Sequence, residues 1–124
     1  MNLVDSSAWL EYFADGPNAD FFAPAVQKVG ELIVPTVVLY EVYQVAAAQR
    51  DDYAGLQAVS VLQQGHVVEL NASLALPAAR LSRAEKLPMA DSIILSSARA
   101  FGATIWTQDA DFGRFPEVKF RAKR

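Results

Sequence analysis

The chain has no cysteine and a single histidine, His66. The first absence removes disulfides and thiolate metal sites and fits a reducing compartment. The second leaves any metal site to oxygen ligands, which favours Mg²⁺ or Mn²⁺ over zinc. The amino terminus lacks a basic segment and carries Asp5 and Glu11 early, unlike a secretory signal. No apolar run approaches the roughly 20 residues that span a bilayer. A soluble, cytoplasmic protein without membrane contact is expected. Low-complexity tracts and linkers are also missing, so residues 1–124 read as a single folded domain.

Basic residues are scarce at first: residues 1–62 hold only Lys28 and Arg50 against eight acids. Residues 63–124 reverse the balance, with nine bases and six acids. A net charge of −3 argues weakly against a nucleic-acid role. Acids gathered at a metal site, with bases along a rim, are compatible with one.

What is present alternates. Short apolar runs at Asn2–Val4, Leu32–Val34, His66–Leu70 and Ala103–Trp106 read as strands, with a last one near Glu117–Phe120. Helical stretches separate them. Ser6 or Ser7 is a candidate cap for a helix to about Ala14, and a second piece runs from about Asn18 toward Val29. Thr36 is a candidate cap for a helix from Val37 to about Arg50, and Asp51-Asp52 connects or caps a helix from Tyr53 to Gln63. Asn71 caps a stretch to about Lys86, in which Pro77 predicts a bend or a late start. Pro88 opens the next helix and Gly102 closes it. This pattern predicts an α/β fold, a mainly parallel central sheet covered by helices on both faces.

Acids recur where strands end or helices begin. Asp5 follows the first strand, at the edge where open α/β sheets place ligands. Glu41 lies about one turn into a helix, among the apolar residues of Val38-Leu39-Tyr40-Glu41-Val42. Asp91 holds the equivalent position in Leu87-Pro88-Met89-Ala90-Asp91, and Asp109 and Asp111 follow the fourth strand. Taken singly, each is also explained by helix-dipole or turn chemistry. Together, carboxylates at equivalent positions imply a shared site, which a hard divalent cation would relieve of repulsion. Such a site suits phosphodiester hydrolysis. Asp109 and Asp111 are equal candidates for the last ligand. Ser6 and Thr107 are candidate substrate contacts, though helix capping suits Ser6 better. Trp9, Tyr12, Phe13, Phe21 and Phe22 have the spacing of a core face or a dimer contact. Arg80, Arg83, Lys86, Arg99, Arg114, Arg121, Lys123 and Arg124 read individually as solvated surface and as a group can contact phosphates.

Four motifs in order, Leu3-Val4-Asp5-Ser6-Ser7, Val38-Leu39-Tyr40-Glu41-Val42, Leu87-Pro88-Met89-Ala90-Asp91-Ser92-Ile93-Ile94 and Ile105-Trp106-Thr107-Gln108-Asp109-Ala110-Asp111-Phe112, give the whole chain a resemblance. It resembles the PIN-domain ribonucleases, in particular the small VapC-type toxins of prokaryotic toxin–antitoxin pairs. The resemblance implies a three-layer α/β/α sandwich and a Mg²⁺- or Mn²⁺-dependent endoribonuclease leaving 5′-phosphate and 3′-hydroxyl ends. It places Asp5, Glu41, Asp91 and Asp109 as catalytic and metal-binding acids, Asp111 as a further ligand, and Thr107 at the family's hydroxyl position. It also implies a tRNA or ribosomal RNA substrate, a homodimer and a cognate antitoxin, with translation as what the toxin inhibits. The rival readings are an RNA-processing PIN nuclease without antitoxin, a non-catalytic module on the same fold, and a phosphoacceptor signalling domain. The last needs an acidic pair after the first strand, where this chain has Asp5-Ser6, and a lysine after the last, for which only Lys119 or Lys123 is available.

Overall fold

A computed structural model describes residues 1–124. Five short strands form its sheet: β1 (Asn2–Val4), β2 (Leu32–Pro35), β3 (His66–Val68), β4 (Thr104–Thr107) and β5 (Val118–Phe120). They lie in the order β3-β2-β1-β4-β5, and every neighbouring pair is parallel. Strands buried on both faces need apolar residues at every position, not alternate ones. Leu3, Val4, Ile33, Val34 and Ile105 meet that demand, and all are buried.

Helices α1 (Ser6–Phe13) and α2 (Ala19–Gln27) join β1 to β2, and α3 (Thr36–Gln49) and α4 (Asp52–Leu62) join β2 to β3. Helices α5 (Ala72–Glu85) and α6 (Met89–Phe101) then carry the chain from β3 back across the sheet to β4. Right-handed crossovers put helices on opposite faces when the direction of winding reverses. The result is a three-layer α/β/α sandwich. Trp9 and Phe22 fill the core from α1 and α2, and Ile94 and Leu95 fill it from α6. Tyr12 and Phe21 pack partly against it, while Phe13 is exposed.

The reversal has a chemical consequence. Winding proceeds outward from β1 through β2 to β3, then restarts on the other side of β1 at β4. The crevice between the carboxyl ends of β1 and β4 is therefore the switch point of the sheet, where loops diverge and leave room for a ligand.

Several local expectations are corrected. Neither Ser6 nor Ser7 caps α1; Asp5 does, its side chain accepting from the Ala8 amide at 3.1 Å. Thr36 is already helical, because Pro35, with φ −62° and ψ 143°, serves both as strand end and as cap. The third strand stops at Val68, short of Leu70, and the fourth runs one residue further, to Thr107. Of the two roles open to Asp51-Asp52, connector or cap, Asp51 takes the cap as expected, accepting from the Ala54 amide at 2.8 Å. Helix α5 does not start late: it begins right after the Asn71 cap and passes through Pro77. Both Pro77 and Ser73, whose carbonyl loses its helical donor, are exposed, so water can take the donor's place.

Candidate active site and metal centre

The site starts from Asp5, the first residue after β1. It is 3% exposed, and both of its carboxylate oxygens accept hydrogen bonds. Oδ1 accepts from the Ser7 hydroxyl at 2.7 Å and from the Ala8 amide at 3.1 Å. Oδ2 accepts from the Thr107 hydroxyl at 2.6 Å. Burial pushes the Asp5 carboxyl up from 3.8 to about 6, against the pull of these donors, and the charge of Asp109 adds to the rise. Removal from water outweighs three hydrogen bonds here.

Thr107 ends β4 and is completely buried. Its hydroxyl also accepts from the Asp109 amide at 2.8 Å. Thr107 therefore fixes two acids at once, the side chain of Asp5 and the backbone of Asp109. The expectation that it meets a substrate is corrected by its burial, which leaves it under the carboxylates. Asp109 in turn caps a single 3₁₀ turn, Ala110–Phe112, by accepting from the Asp111 amide at 2.9 Å.

Asp91 lies in the first turn of α6, half-buried. Its carboxyl oxygen lies within 4.8 Å of those offered by Asp109 and Asp111. Desolvation, then the charges of Asp109 and Asp5, push the Asp91 carboxyl up to about 7; a hydrogen bond with Asp109 and the charge of Asp111 act in the same sense. Glu41, on α3, is raised first by burial and then by the charge of Asp109, while the Ser6 hydroxyl pulls it down. Ser6 thus serves Glu41 and not a helix cap.

Asp5, Glu41 and Asp91 come from three separate elements, and all three feel Asp109. Asp111 acts on Asp91 alone among them and is exposed. Both Asp109 and Asp111 bring a carboxylate oxygen within 4.8 Å of Asp91, while the charge of Asp109 also reaches Asp5 and Glu41. His66, by contrast, opens the edge strand and packs edge-on against Phe101. Arg99 and Arg114 are committed to Glu117 and Glu85, so the rim of free cations is narrower than expected.

Ser7, Asn18 and Gln108 were not singled out as site residues by sequence. Ser7 donates to Asp5 and accepts from the Gln108 amide at 3.1 Å. Asn18, 1% exposed, donates to the Gln108 side chain at 2.6 Å and to the Ala122 carbonyl at 2.9 Å. Ser7 had a signal in its spacing of two from Asp5. Asn18 and Gln108 had none, since they are 90 residues apart.

The donor set fits a hard divalent cation. Three carboxylates present oxygens within 4.8 Å of one another and no sulfur or imidazole competes; burial first, and neighbouring carboxylates second, disfavour the charged forms of Asp5 and Asp91 until a cation offsets them.

The PIN domain model matches residues 3–118. The chain belongs to the PIN domain family. As a PIN domain it is similar to several solved structures. A toxin–antitoxin complex from Klebsiella pneumoniae aligns with a TM-score of 0.81 at 20% identity, covering 96% of both chains. Mycobacterium tuberculosis VapC20, described as a sarcin-ricin loop cleaving toxin, aligns at 0.77 and 21% identity, covering 96% of this chain and 99% of that one. VapBC2 from Rickettsia felis, bound to a promoter DNA fragment, aligns at 0.73 and 14% identity, covering 98% and 97%. At these identities the likeness establishes the shared PIN fold. No curated protein matches the sequence. No helix of this PIN domain is long and apolar enough to cross a membrane.

Proposed function

We propose that this PIN domain, residues 1–124 as one unit, is a divalent-metal-dependent endoribonuclease and the toxin of a type II toxin–antitoxin pair that inhibits translation. The observation that carries the nuclease reading is the convergence of Asp5, Glu41, Asp91 and Asp109 at the sheet's switch point, with Asp5 and Asp91 pushed up to about 6 and about 7. Asp91, Asp109 and Asp111 hold Mg²⁺ or Mn²⁺, and Asp5 and Glu41 complete the acidic wall. When bound, the ion acidifies a water and stabilises the leaving oxygen of the phosphodiester.

The chain's own residues supply the rest. Ser7, Thr107 and the Ala8 amide fix Asp5 in a single orientation, so no reorganisation is needed at the moment of reaction. Ser6 biases Glu41 toward its charged form. Desolvation and the charge of Asp109 favour a proton on the Asp91 carboxyl up to about pH 7, a proton that a bound divalent cation would displace.

The toxin role is supported by the fold neighbours, which are toxin–antitoxin complexes and toxins. A cognate antitoxin as partner has the same support; tRNA or ribosomal RNA as substrate, a second copy of the chain as partner and a cytoplasmic setting rest on the resemblance of the four sequence motifs. The phosphoacceptor reading loses support, because Asp5 is buried and is followed by Ser6, where that reading needs a second acid.

The test is cleavage of tRNA and ribosomal RNA by the pure protein with Mn²⁺, with and without chelator, beside Asp5→Asn. Cleavage is expected to vanish with chelator and to fall to the chelated level in the variant. Chelator-resistant cleavage, or an unimpaired variant, overturns the mechanism.

A further inference from the structure

Next to the acidic cluster, on the far side of Ser7, lies a second concavity of about 310 Å³. Its walls are Ser7, Leu10, Glu11, Gln108, Lys123 and Arg124, with Leu10 the only apolar member. Two of these residues also belong to the acidic site's own network, since Ser7 donates to Asp5 and accepts from the Gln108 amide. One hydroxyl thus separates a negative pocket from a positive one.

The positive side is held in place, although it lies after the last strand. The Arg121 amide donates to the Thr107 carbonyl at 3.0 Å, extending the ladder beyond β5. The Arg121 guanidinium lies 4.3 Å from the centre of the Phe21 ring. The buried Asn18 side chain then ties the Ala122 carbonyl to Gln108. Chain ends without such ties are ordinarily mobile. Here they aim Lys123 and Arg124 into the notch.

Neither cation is neutralised. The ion pairs of the protein are Arg99–Glu117 and Arg114–Glu85. Glu11, the one acid in the wall, is turned to the Asn18 amide, which donates to its carboxylate at 2.7 Å. Two exposed cations and the side-chain amide of Gln108, gathered in a polar concavity, form a receptor for a phosphate group.

We propose that this notch binds a backbone phosphate of single-stranded RNA adjacent to the scissile one, with Lys123 and Arg124 as the phosphate contacts and Asn18 as the positioning residue that holds them. The inference rests on the nuclease reading for its substrate. Acidic clusters repel nucleic acid until a cation arrives, so a neighbouring positive anchor sets both affinity and the register of the strand over Asp5, Asp91 and Asp109.

The test separates binding from cleavage. Metal-free protein is titrated with a short fluorescein-labelled single-stranded RNA, and the salt dependence of affinity is read by anisotropy. Lys123→Ala/Arg124→Ala is expected to weaken binding on the order of tenfold at low salt and to reduce the log–log salt slope by about 0.7, the share of one neutralised phosphate on a single strand. Lys28→Ala/Arg50→Ala removes the same charge from residues that are not in the notch wall and is expected to leave the slope unchanged. Asn18→Ala, with its melting checked, is expected to lower affinity in the same direction while both cations remain. Equal effects of the two double variants, an unchanged slope in Lys123→Ala/Arg124→Ala, or no binding by the unaltered chain overturns the notch. If the protein cleaves no RNA but its binding still depends on Lys123 and Arg124, the nuclease reading falls and the notch stands.

Discussion

The Thr107 hydroxyl donates to the Asp5 carboxylate at 2.6 Å, joining the last residue of β4 to the first residue after β1. These strands are neighbours in space but 102 residues apart along the chain at this bond. The bond makes the geometry of the acidic site a direct product of strand pairing.

Replacing Thr107 by valine keeps the shape and removes the donor. Asp5 loses a bond that lowers its pKa, so its carboxyl should titrate above about 6. The acid limb of the activity–pH profile should move to higher pH. Loss of a partner that orients a metal-site acid costs about 10–100-fold in activity. Thr107→Ser, which keeps the hydroxyl, should restore most of it. A valine variant with an unshifted profile would show that the bond is structural only.

Asp91→Asn removes a charge that burial and three neighbouring carboxylates disfavour. The metal-free variant should melt a few degrees higher than the parent at mildly alkaline pH, while cleavage with Mn²⁺ is lost. Gaining stability while losing activity is the signature of a strained functional acid. A variant that melts lower would argue that Asp91 is a stabilising dipole partner of α6.

Stability should depend on pH with a definite sign. The Asp5 pKa is raised, from 3.8 to about 6, so the folded chain holds this proton more tightly than the unfolded chain does. Its stabilising contribution is complete below 3.8 and is lost as pH rises through about 6, an effect of about 3 kcal/mol at most. Asp91 extends the loss to about pH 7. Mn²⁺ at about 100 times its Kd should return about 2.7 kcal/mol, because it binds only the folded site. That gain should shrink at about pH 5, where protons occupy the carboxyls. Thermal melts with Mn²⁺ and with chelator, at about pH 5 and about pH 8, measure both effects. Equal gains at the two pH values would contradict a carboxylate site.

Two helix ends give opposite signs for one backbone argument. Gly102 closes α6 at φ +60°, and a Cβ there would meet nothing within 4 Å. Gly102→Ala should therefore cost about 1 kcal/mol, from backbone preference alone. Lys86 closes α5 at φ 55° without a glycine's freedom. Lys86→Gly should be neutral or stabilising by up to about 1 kcal/mol, because the relief of φ outweighs added freedom in the unfolded chain. Urea titrations of both variants check the pair.

The strands and acids were legible because their signals are local. Leu32-Ile33-Val34 can hardly be anything but a buried strand, and a carboxylate at the start of a helix otherwise rich in isoleucine and leucine stands out at Asp91. Thr36 and Ser6 misled as caps, because a cap depends on backbone angles that Pro35 and Asp5 claimed first. That the charge of Asp109 reaches Asp5 and Glu41, as well as Asp91, depends on where the loop after β4 lies and not on local sequence. Asn18 was invisible for a deeper reason: its partners, Gln108 and Ala122, become neighbours only after β4 and β5 have paired.

The clamp of Asn18 on Ala122 bears on how the protein is handled. Anything fused after Arg124 emerges beside the carboxylates and can cover them or fill the notch. Met1, whose carbonyl accepts from the Thr104 amide, lies at the opposite edge of the sheet. An affinity tag placed before Met1 leaves the reactive face open, whereas one placed after Arg124 can mimic an inhibitor.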